Sequence, residues 1–259
     1  MRHIAADKQQ RLDQYVIEKH PDLSRTASTK LIEQGNVKVN KVAQIKSGYK
    51  VRPNDKISIK YSGNTKIELP IIDLPVIYED DDCVVIDKPV GLLSHSKGAF
   101  NPEATVASWL TPKINDMSGD RAGIVHRLDR ATSGIMICAK TPEALSWLQK
   151  QFSLRKVKKS YIAIVQGEFD LPEAIIDMPI ERHPKKPQTF RVGNNGKSAT
   201  THYKVLESNG ETSLLELKPT TGRTHQLRVH LAHIKHPIIG DTFYQGKSAD
   251  RLYLHAQSL

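Results

Sequence analysis

The chain is organised around His126-Arg127-Leu128-Asp129-Arg130-Ala131-Thr132-Ser133-Gly134. This segment puts the carboxylate of Asp129 between two arginines, and arginines so placed hold a carboxylate ionised and oriented. Ile124-Val125 leads into it, and Ile135-Met136-Ile137-Cys138-Ala139 follows it as a short buried strand. The segment is therefore predicted to lie at the edge of a sheet, where a rigid strand supports an accessible loop. Asp129 is the candidate catalytic acid.

Two other interpretations of this segment compete with catalysis. An acid flanked by arginines in a loop is often a structural ion pair. The order His-Arg-Leu-Asp also resembles a protein-kinase catalytic loop, but that loop needs Asp directly after His-Arg, followed by an Asn. It also needs a glycine-rich phosphate loop and an Asp-Phe-Gly triplet. The sequence has none of these, so the kinase interpretation is excluded.

Positive charge is concentrated at the N-terminus. Residues 1–61 hold 13 Lys and Arg against 6 Asp and Glu, a net charge of +7, while the whole chain of 259 residues has +10. This length allows two domains of unequal size. A small basic segment beside a nearly neutral larger one is typical of a nucleic-acid-binding module attached to a catalytic body. A membrane surface is the weaker alternative partner.

The cysteines and the chain start indicate a cytoplasmic protein. Cys83 and Cys138 both lie in apolar runs, so neither a disulfide framework nor a zinc knuckle is expected. The first residues lack the apolar core of a secretory signal, and no run reaches transmembrane length.

Two short helices and a small sheet are predicted in the basic segment. Helical spacing indicates a first helix over Arg11–Ile17. Ser24 is expected to cap a second helix that stops at Gly35, since glycine readily takes the left-handed closing conformation. Alternating residues predict strands at 37–40 and 55–59.

A linker is predicted at 62–75, where small polar residues and prolines are frequent. The catalytic body then runs from 76 to 259. Its first predicted elements are a strand at 84–86 and a helix around 105–110. A second helix is predicted to open at Thr141, with Leu145, Leu148 and Phe152 as its buried face, and a strand is predicted at 158–167. Short strands are predicted to recur from 174 to 219, with a hairpin turn at Asn209-Gly210.

A further helix is predicted to begin at Thr224, with Leu227, Leu231 and Ile234 facing inward and Arg228 beside this apolar stripe. An arginine so close to a buried face needs an acidic partner, and Asp129 is the candidate.

Histidines cluster in and around this helix, at His225, His230, His233 and His236. They allow a metal-site interpretation, but no Cys or acid completes a tetrahedral set at close spacing. Contacts with backbone or with RNA are favoured, and no metal is expected.

Three blocks, in order, resemble the RluA-type pseudouridine synthases. Gly123–Gly134 resembles the signature of that family, Tyr78–Leu92 resembles its first block, a strand ending in Lys-Pro-x-Gly-Leu, and Thr221–His230 resembles its last. The block order is most similar to that of the RluD-type members. The N-terminal segment resembles the alpha-L RNA-binding domain, first described in a small-subunit ribosomal protein.

The resemblance implies an α+β fold. The catalytic domain, 76–259, would have a mixed, mainly antiparallel sheet with flanking helices, and residues 1–61 would form a small α/β RNA-binding domain. Members of the family usually continue after the counterpart of Leu254-His255-Ala256 into one more strand. A piece of the final sheet is therefore expected to be missing here.

The activity implied by the resemblance is isomerisation of specific uridines to pseudouridine in large-subunit ribosomal RNA. The bond between uracil nitrogen and ribose breaks, the base turns, and it rejoins through a ring carbon, without a cofactor. We expect a monomer whose partner is ribosomal RNA or its precursor. The same chemistry on transfer RNA is one alternative, and a catalytically inactive RNA-binding or ribosome-assembly protein is another.

The resemblance also implies roles for individual residues. Asp129 would supply the anionic group, Arg228 would keep it ionised, and Tyr161 would stack on the extruded uracil. Arg127 would occupy the place that the base leaves. Further RNA-binding candidates are Arg25, Lys30, Lys38, Lys41 and Arg223. The alternative is that Tyr161 is packing and that the basic residues are solvated charges.

Overall fold

The computed structural model describes residues 3–5, 9–21, 23, 25–61, 69–96, 103–119 and 121–259. The chain divides into two compact units, residues 1–70 with 96–103 and residues 71–95 with 104–259. Each unit has its own hydrophobic core. Part of the predicted linker lies outside the described residues, so its limits stay a prediction.

The first unit contains the two predicted helices and a small sheet. The helices are α1 (Leu12–Lys19) and α2 (Arg25–Glu33). The strands are β1 (His3–Ala5), β2 (Gln10–Arg11), β3 (Val37–Val39), β4 (Val42–Ala43), β5 (Lys50–Val51) and β6 (Lys56–Ile59). An antiparallel sheet has the order β1-β6-β3-β4, and β2 pairs separately with β5.

The end of α2 shows the predicted glycine stop. Gly35 has a φ of +73°. Its N–H donates to the carbonyl of Ile32 at 2.9 Å, and the N–H of Asn36 donates to that of Leu31 at 3.1 Å, so the last carbonyls of the helix are satisfied. The predicted cap, Ser24, lies outside the described residues.

The second unit is built on one large sheet. Its strands are β7 (Val76–Glu79), β8 (Cys83–Lys88), β9 (Ser133–Ala139), β10 (Ser160–Gln166), β11 (Glu173–Asp177), β14 (Thr200–Ser208), β15 (Thr212–Pro219) and β16 (Leu254–Ser258). The order is β11-β14-β15-β10-β16-β9-β8-β7, with every pair antiparallel except β16 and β9. A separate antiparallel pair is formed by β12 (Ile180–Arg182) and β13 (Phe190–Val192). The predicted α+β class and mainly antiparallel sheet are confirmed.

Turn chemistry sets the predicted hairpin between β14 and β15. Asn209 Oδ1 accepts hydrogen bonds from the N–H groups of Glu211 and Thr212, and Gly210 has a φ of +90°. These are the local contacts that the Asn-Gly pair predicts.

Among the described residues, three helices and one 3₁₀ turn accompany the large sheet. They are α3 (Val106–Leu110), the turn Thr111–Lys113, α4 (Pro142–Ser153) and α5 (Gln226–His233). The side chain of Thr141 caps α4 as predicted. The predicted inner face of α4, Leu145, Leu148 and Phe152, is half-buried where this helix packs against β9.

The start of α5 differs from the prediction by two residues. The sequence places it at Thr224, whereas the helix begins at Gln226. His225 has a φ of +57°, which is outside the helical region and interrupts the helix at that point. Leu227 and Leu231 face the core as predicted.

The strand β16 brings β9 and β10 together. In the pairing register Ala256 opposes both Tyr161 on β10 and Gly134 on β9. Gly134 has a φ of +115°, and a Cβ there would collide with the backbone of Ala256. Only glycine allows this close approach, and the loop that ends at β9 is thereby held beside Tyr161. The expectation that a piece of the final sheet is missing stays a prediction.

Candidate active site

The backbone around Asp129 is fixed by the first sequence block and the residues just after it. Ser94 Oγ donates to the Leu128 carbonyl at 2.8 Å and accepts from the Leu128 N–H at 3.1 Å. The Gly91 N–H donates to the Arg130 carbonyl at 2.8 Å. Two blocks that are far apart in sequence therefore meet at this loop.

The carboxylate of Asp129 has two nitrogen groups close to one of its oxygens. Arg228 Nη1 and His225 Nε2 each lie 3.8 Å from Oδ2. The predicted ion pair between Arg228 and Asp129 is thus present, at a distance longer than a hydrogen bond. A negative charge at this position is favoured by the guanidinium.

Arg228 has a second, closer partner that the sequence analysis did not identify. Its Nε donates to Asp241 Oδ2 at 2.7 Å and its Nη2 donates to Asp241 Oδ1 at 2.8 Å. Both side chains are buried. This two-point contact fixes the plane of the guanidinium and leaves Nη1 as the nitrogen that faces Asp129.

The loop that carries Asp241 is set by two glycines. A Cβ at Gly240 would collide with the carbonyl of Arg251, and a Cβ at Gly246 with that of Ile238. Two glycines close to Asp241 are the sequence signal for this loop. The sequence pattern does not show that Asp241 pairs with Arg228.

His225 is held by the same loop. Its Nδ1 lies 2.8 Å from the hydroxyl oxygen of Tyr244, which accepts the N–H of Phe190 at 3.0 Å. Burial lowers the pKa of His225 from its ordinary value; the charge of Asp129 opposes this effect and that of Arg228 adds to it.

Tyr161 lies on β10 beside the carboxylate and contacts both large hydrophobic clusters of this unit. Burial, and then the negative charge of Asp129, raise the pKa of Tyr161 to about 12. The phenol is therefore neutral near pH 7, and its ring can serve as a stacking surface.

A cavity of about 110 Å³ joins these groups. It is lined by Asp129, Tyr161, Arg228, His225 and Arg127, among others. The structure thus brings together the three predicted catalytic residues and the predicted base-replacing arginine.

A second cleft, of about 460 Å³, adjoins this cavity and shares several of its residues. Its cationic lining residues are Arg127, Arg155, Lys159 and Arg223, and none of the described residues that line it carries a carboxylate. Arg127 is exposed, while Arg223 is half-buried and its Nε donates to the Ser198 carbonyl at 3.0 Å. The cleft has the charge that an RNA backbone requires.

The N-terminal candidates are all exposed, at Arg25, Lys30, Lys38 and Lys41. One of them also has an internal role. Arg25 Nε lies 3.4 Å from the buried carboxylate of Asp13, which Arg11 contacts at 2.9 Å.

Lys88, in the first sequence block, is a buried lysine to which the sequence analysis gave no role. Its Nζ donates to the carbonyls of Pro89 and Leu92, both at 2.9 Å. Burial lowers the pKa of Lys88 to about 8, and the charge of Asp129 acts in the opposite direction. The sequence feature that could have identified Lys88 is its position as a lysine at the end of an apolar strand.

Two of the four clustered histidines bind backbone, as the sequence analysis favoured. His230 contacts the Met178 carbonyl at 2.9 Å and Thr201 Oγ1 at 3.0 Å, and His236 contacts the Gln166 carbonyl at 2.8 Å. In the described ranges no group of three or more His, Cys, Asp or Glu is arranged to hold a metal ion.

Comparison with protein families gives two matches. Residues 82–233 match the family described as RNA pseudouridylate synthase, and residues 10–57 match the S4 domain. The second match covers most of the basic segment.

Similar proteins agree with these matches. The chain is 40% identical over 243 residues to "Ribosomal large subunit pseudouridine synthase D" of Salmonella typhimurium, covering 92% of this chain and 73% of the relative. It is 38% identical over 250 residues to "Uncharacterized RNA pseudouridine synthase" of Aquifex aeolicus, covering 93% and 79%. Among solved structures, "Human RNA Pseudouridylate Synthase Domain Containing 1" has 28% identity and a TM-score of 0.60, covering 71% of this chain and 76% of that one.

Proposed function

Because the chain belongs to the RNA pseudouridylate synthase family, it is an isomerase that acts on RNA, and we propose that its substrate is large-subunit ribosomal RNA. Two observations support this substrate. Relatives with 40% identity over most of their length are named as large-subunit ribosomal enzymes. The S4 match covers a segment whose net charge suits an RNA partner.

The reaction conserves every atom of the uridine. The bond between uracil N1 and the ribose breaks, the base turns within the site, and C5 of the base bonds to the ribose. The proton on C5 is lost and N1 ends protonated. Such a reaction needs an anionic group near the anomeric carbon and a pocket that retains the freed base, while the redox state does not change.

Asp129 is the proposed anionic group. The observation that carries this proposal is the common cavity of Asp129, Tyr161 and Arg228, in which the guanidinium faces the carboxylate. Arg228 is itself held at two points by Asp241, so its position does not depend on the substrate. The carboxylate is accordingly held ready before RNA binds.

Tyr161 and Arg127 are proposed to handle the target base. A uridine must leave its stack before chemistry. The neutral ring of Tyr161 offers a surface for the extruded uracil, and the exposed guanidinium of Arg127 can stack where the base was. The proposed contacts with the RNA backbone come from Arg25, Lys30, Lys38, Lys41 and Arg223.

The domain limits, 1–61 and 76–259 with a linker between them, are part of the same proposal. The monomeric state, the cytoplasmic location and the absence of a cofactor remain predictions from the sequence. Among the residues described, every helix is too short or too polar to span a membrane.

The substrate is tested by mapping pseudouridine at nucleotide resolution in ribosomal and transfer RNA, from cells with and without the protein. We expect sites in large-subunit ribosomal RNA to disappear with the protein and to return when purified protein is added to unmodified RNA. Loss of sites only from transfer RNA would show that the substrate is transfer RNA and that the proposed substrate is wrong. Unchanged maps would favour an inactive RNA-binding protein.

A further inference from the structure

Two residues behind Asp129 have no part in the proposed function. His225 lies directly before α5, with 12% of its side chain exposed, and its Nε2 is 3.8 Å from Asp129 Oδ2. Tyr244 lies 2.8 Å from the other ring nitrogen, Nδ1. The imidazole thus connects the carboxylate to a tyrosine hydroxyl.

Aromatic rings fix the orientation of this imidazole. The centroids of Phe190 and Tyr244 each lie 5.6 Å from that of His225, in edge contacts, and that of Phe243 lies at 6.2 Å. His225 also has a φ of +57°, which is uncommon outside glycine, although asparagine, aspartate and histidine adopt it more often than other residues do. A left-handed residue at this point lets the ring reach Asp129 and Tyr244 together.

The hydroxyl of Tyr244 determines which ring nitrogen carries the proton. Its oxygen accepts the N–H of Phe190 at 3.0 Å. Within the part of the chain that the structure describes, Nδ1 of His225 is the remaining hydrogen-bond partner of that hydroxyl. Donation of the single O–H proton to Nδ1 gives that proton an acceptor, and a neutral imidazole in this arrangement carries its own proton on Nε2, the nitrogen nearer Asp129.

The charges around His225 come from three segments. The Asp129 loop contributes Asp129 and Arg127, α5 contributes Arg228, and the following loop contributes Asp241. Burial has the largest effect on the pKa of His225 and lowers it, the two acids oppose this and the two arginines add to it. A neutral ring at pH 7 follows.

We propose that His225, kept as the Nε2–H tautomer by the hydroxyl of Tyr244, is a positioning residue that acts with Arg228 to orient the carboxylate of Asp129. Both nitrogens approach Oδ2, which leaves Oδ1 for the ribose. The Nε2 to Oδ2 distance exceeds a hydrogen bond in the free protein and shortens when RNA fills the site, as contacts in active sites commonly do. This inference rests on the proposed role of Asp129.

A pair of substitutions separates positioning from a merely structural role. In His225→Gln the amide nitrogen can take the place of Nε2, whereas in His225→Asn it reaches only the place of Nδ1. Asparagine tolerates the left-handed backbone better than glutamine does, so the Asn variant should unfold at the same temperature as the Gln variant or at a higher one. We expect the Gln variant to be the more active of the two. The single-turnover rate at saturating RNA should fall roughly 100-fold in His225→Asn and much less in His225→Gln, with RNA affinity unchanged. An Asn variant as active as the Gln variant would overturn the inference.

The tautomer is tested without turnover. Nitrogen-15 NMR of labelled histidine should show His225 with bare Nδ1 and protonated Nε2, and a protonated Nδ1 would overturn the proposal. In Tyr244→Phe the donor to Nδ1 is lost, so the neutral ring should carry its proton on Nδ1 in a larger share of molecules, and the single-turnover rate near pH 7 should fall. Tyr253→Phe is the matched control, because that hydroxyl contacts the exposed Asp250. Its His225 spectrum and its rate should match wild type, and the same changes there would count against a specific effect of Tyr244.

Failure of this inference differs from failure of the proposed function. If Asp129→Asn retains turnover, the role of Asp129 is wrong whatever the tautomer of His225. If Asp129→Asn is inactive while His225→Asn and His225→Gln have equal rates, only the positioning role is wrong.

Discussion

At the scale of single residues, the site depends on a chain of charges. Asp241 holds Arg228 at two points, and Arg228 in turn faces Asp129. Asp241 and Arg228 are buried, and a buried charge is costly unless it is paired. The same contacts therefore serve stability and catalysis, and substitutions must be chosen to separate the two.

Replacing Asp129 by asparagine tests the catalytic group directly. The amide keeps the shape of the side chain and loses the negative charge, so Asp129→Asn should fold and bind RNA as wild type does but form no pseudouridine. Product formation and RNA binding are measured on the same preparations. Turnover above background would rule out Asp129 as the required anion.

A double-mutant cycle on Asp241 and Arg228 separates stability from activity. Arg228→Met alone leaves the buried carboxylate of Asp241 unpaired, which should lower the free energy of unfolding by about 3–5 kcal/mol. Asp241→Leu alone leaves Arg228 with the more distant Asp129, so its loss should be smaller. Combining the two removes both charges, and most of the stability should return while the rate stays low. Denaturant unfolding and single-turnover rates provide both readouts. A double variant with wild-type activity would show that Arg228 only packs.

His126 should make stability depend on pH. Burial, and then the charge of Lys159, lower its pKa from 6.5 to about 4, and its Nε2 accepts the N–H of Ile137. Between these pH values the unfolded chain binds a proton that the folded protein does not, so stability falls as pH drops from about 6.5 towards 4. The loss should be about 2 kcal/mol at pH 5.

His126→Gln is the comparison for this effect, because its amide oxygen can accept the same hydrogen bond without titrating. Urea unfolding at pH 7 and pH 5 should show a smaller loss in that variant. Equal losses would assign the pH dependence to other groups.

At the scale of elements, the contact between β9 and β16 holds the Asp129 loop. Gly134 allows it, because a side chain there would collide with the backbone of Ala256. Gly134 is also the last residue of the signature segment, so a shift of β9 would move Asp129 relative to Tyr161 on β10.

Gly134→Ala should therefore destabilise the protein and lower its rate. Gly119→Ala is the matched control, because Gly119 has a φ of +94° and no atom within 4 Å of an added Cβ. Backbone strain of about 1–3 kcal/mol is common to both variants, and only Gly134→Ala adds the collision. Unfolding free energies and single-turnover rates are compared. If the two variants lose the same stability and activity, close strand contact does not hold the loop.

At the scale of the whole molecule, the basic N-terminal segment and the catalytic body should contribute differently. Residues 1–61 carry +7 of the +10 net charge, whereas Asp129, Tyr161 and Arg228 lie in the second unit. Phosphate contacts fix register and affinity, while the pocket performs the chemistry.

Neutralising Arg25, Lys30, Lys38 and Lys41 with glutamine should weaken RNA binding and flatten its salt dependence. Each lost contact with single-stranded RNA should reduce the slope of log affinity against log salt by about 0.7. The rate at saturating RNA and low salt should persist. The control carries the same change at four exposed lysines of the second unit, Lys185, Lys186, Lys204 and Lys235. If the slope is unchanged by the first set, the segment has another partner, a protein or a membrane surface.

The sequence by itself determined the features that depend on local order. The helical spacing of the basic segment, the glycine stop at Gly35 and the Asn209-Gly210 turn act through neighbouring residues, and each is found where it was predicted. The three ordered blocks identified the family, and with it Asp129 and Arg228 as candidates for one site. These features can be predicted from the sequence because they need few or no partners that are distant along the chain.

Only the tertiary structure decided how that site is held. Asp241 and Tyr244 follow the last block and have no pattern that announces their partners, yet they fix Arg228 and His225. The left-handed His225 moved the start of α5, because the ring has to reach groups on two different loops. Such contacts depend on which segments the sheet brings together, and a linear pattern does not contain that information.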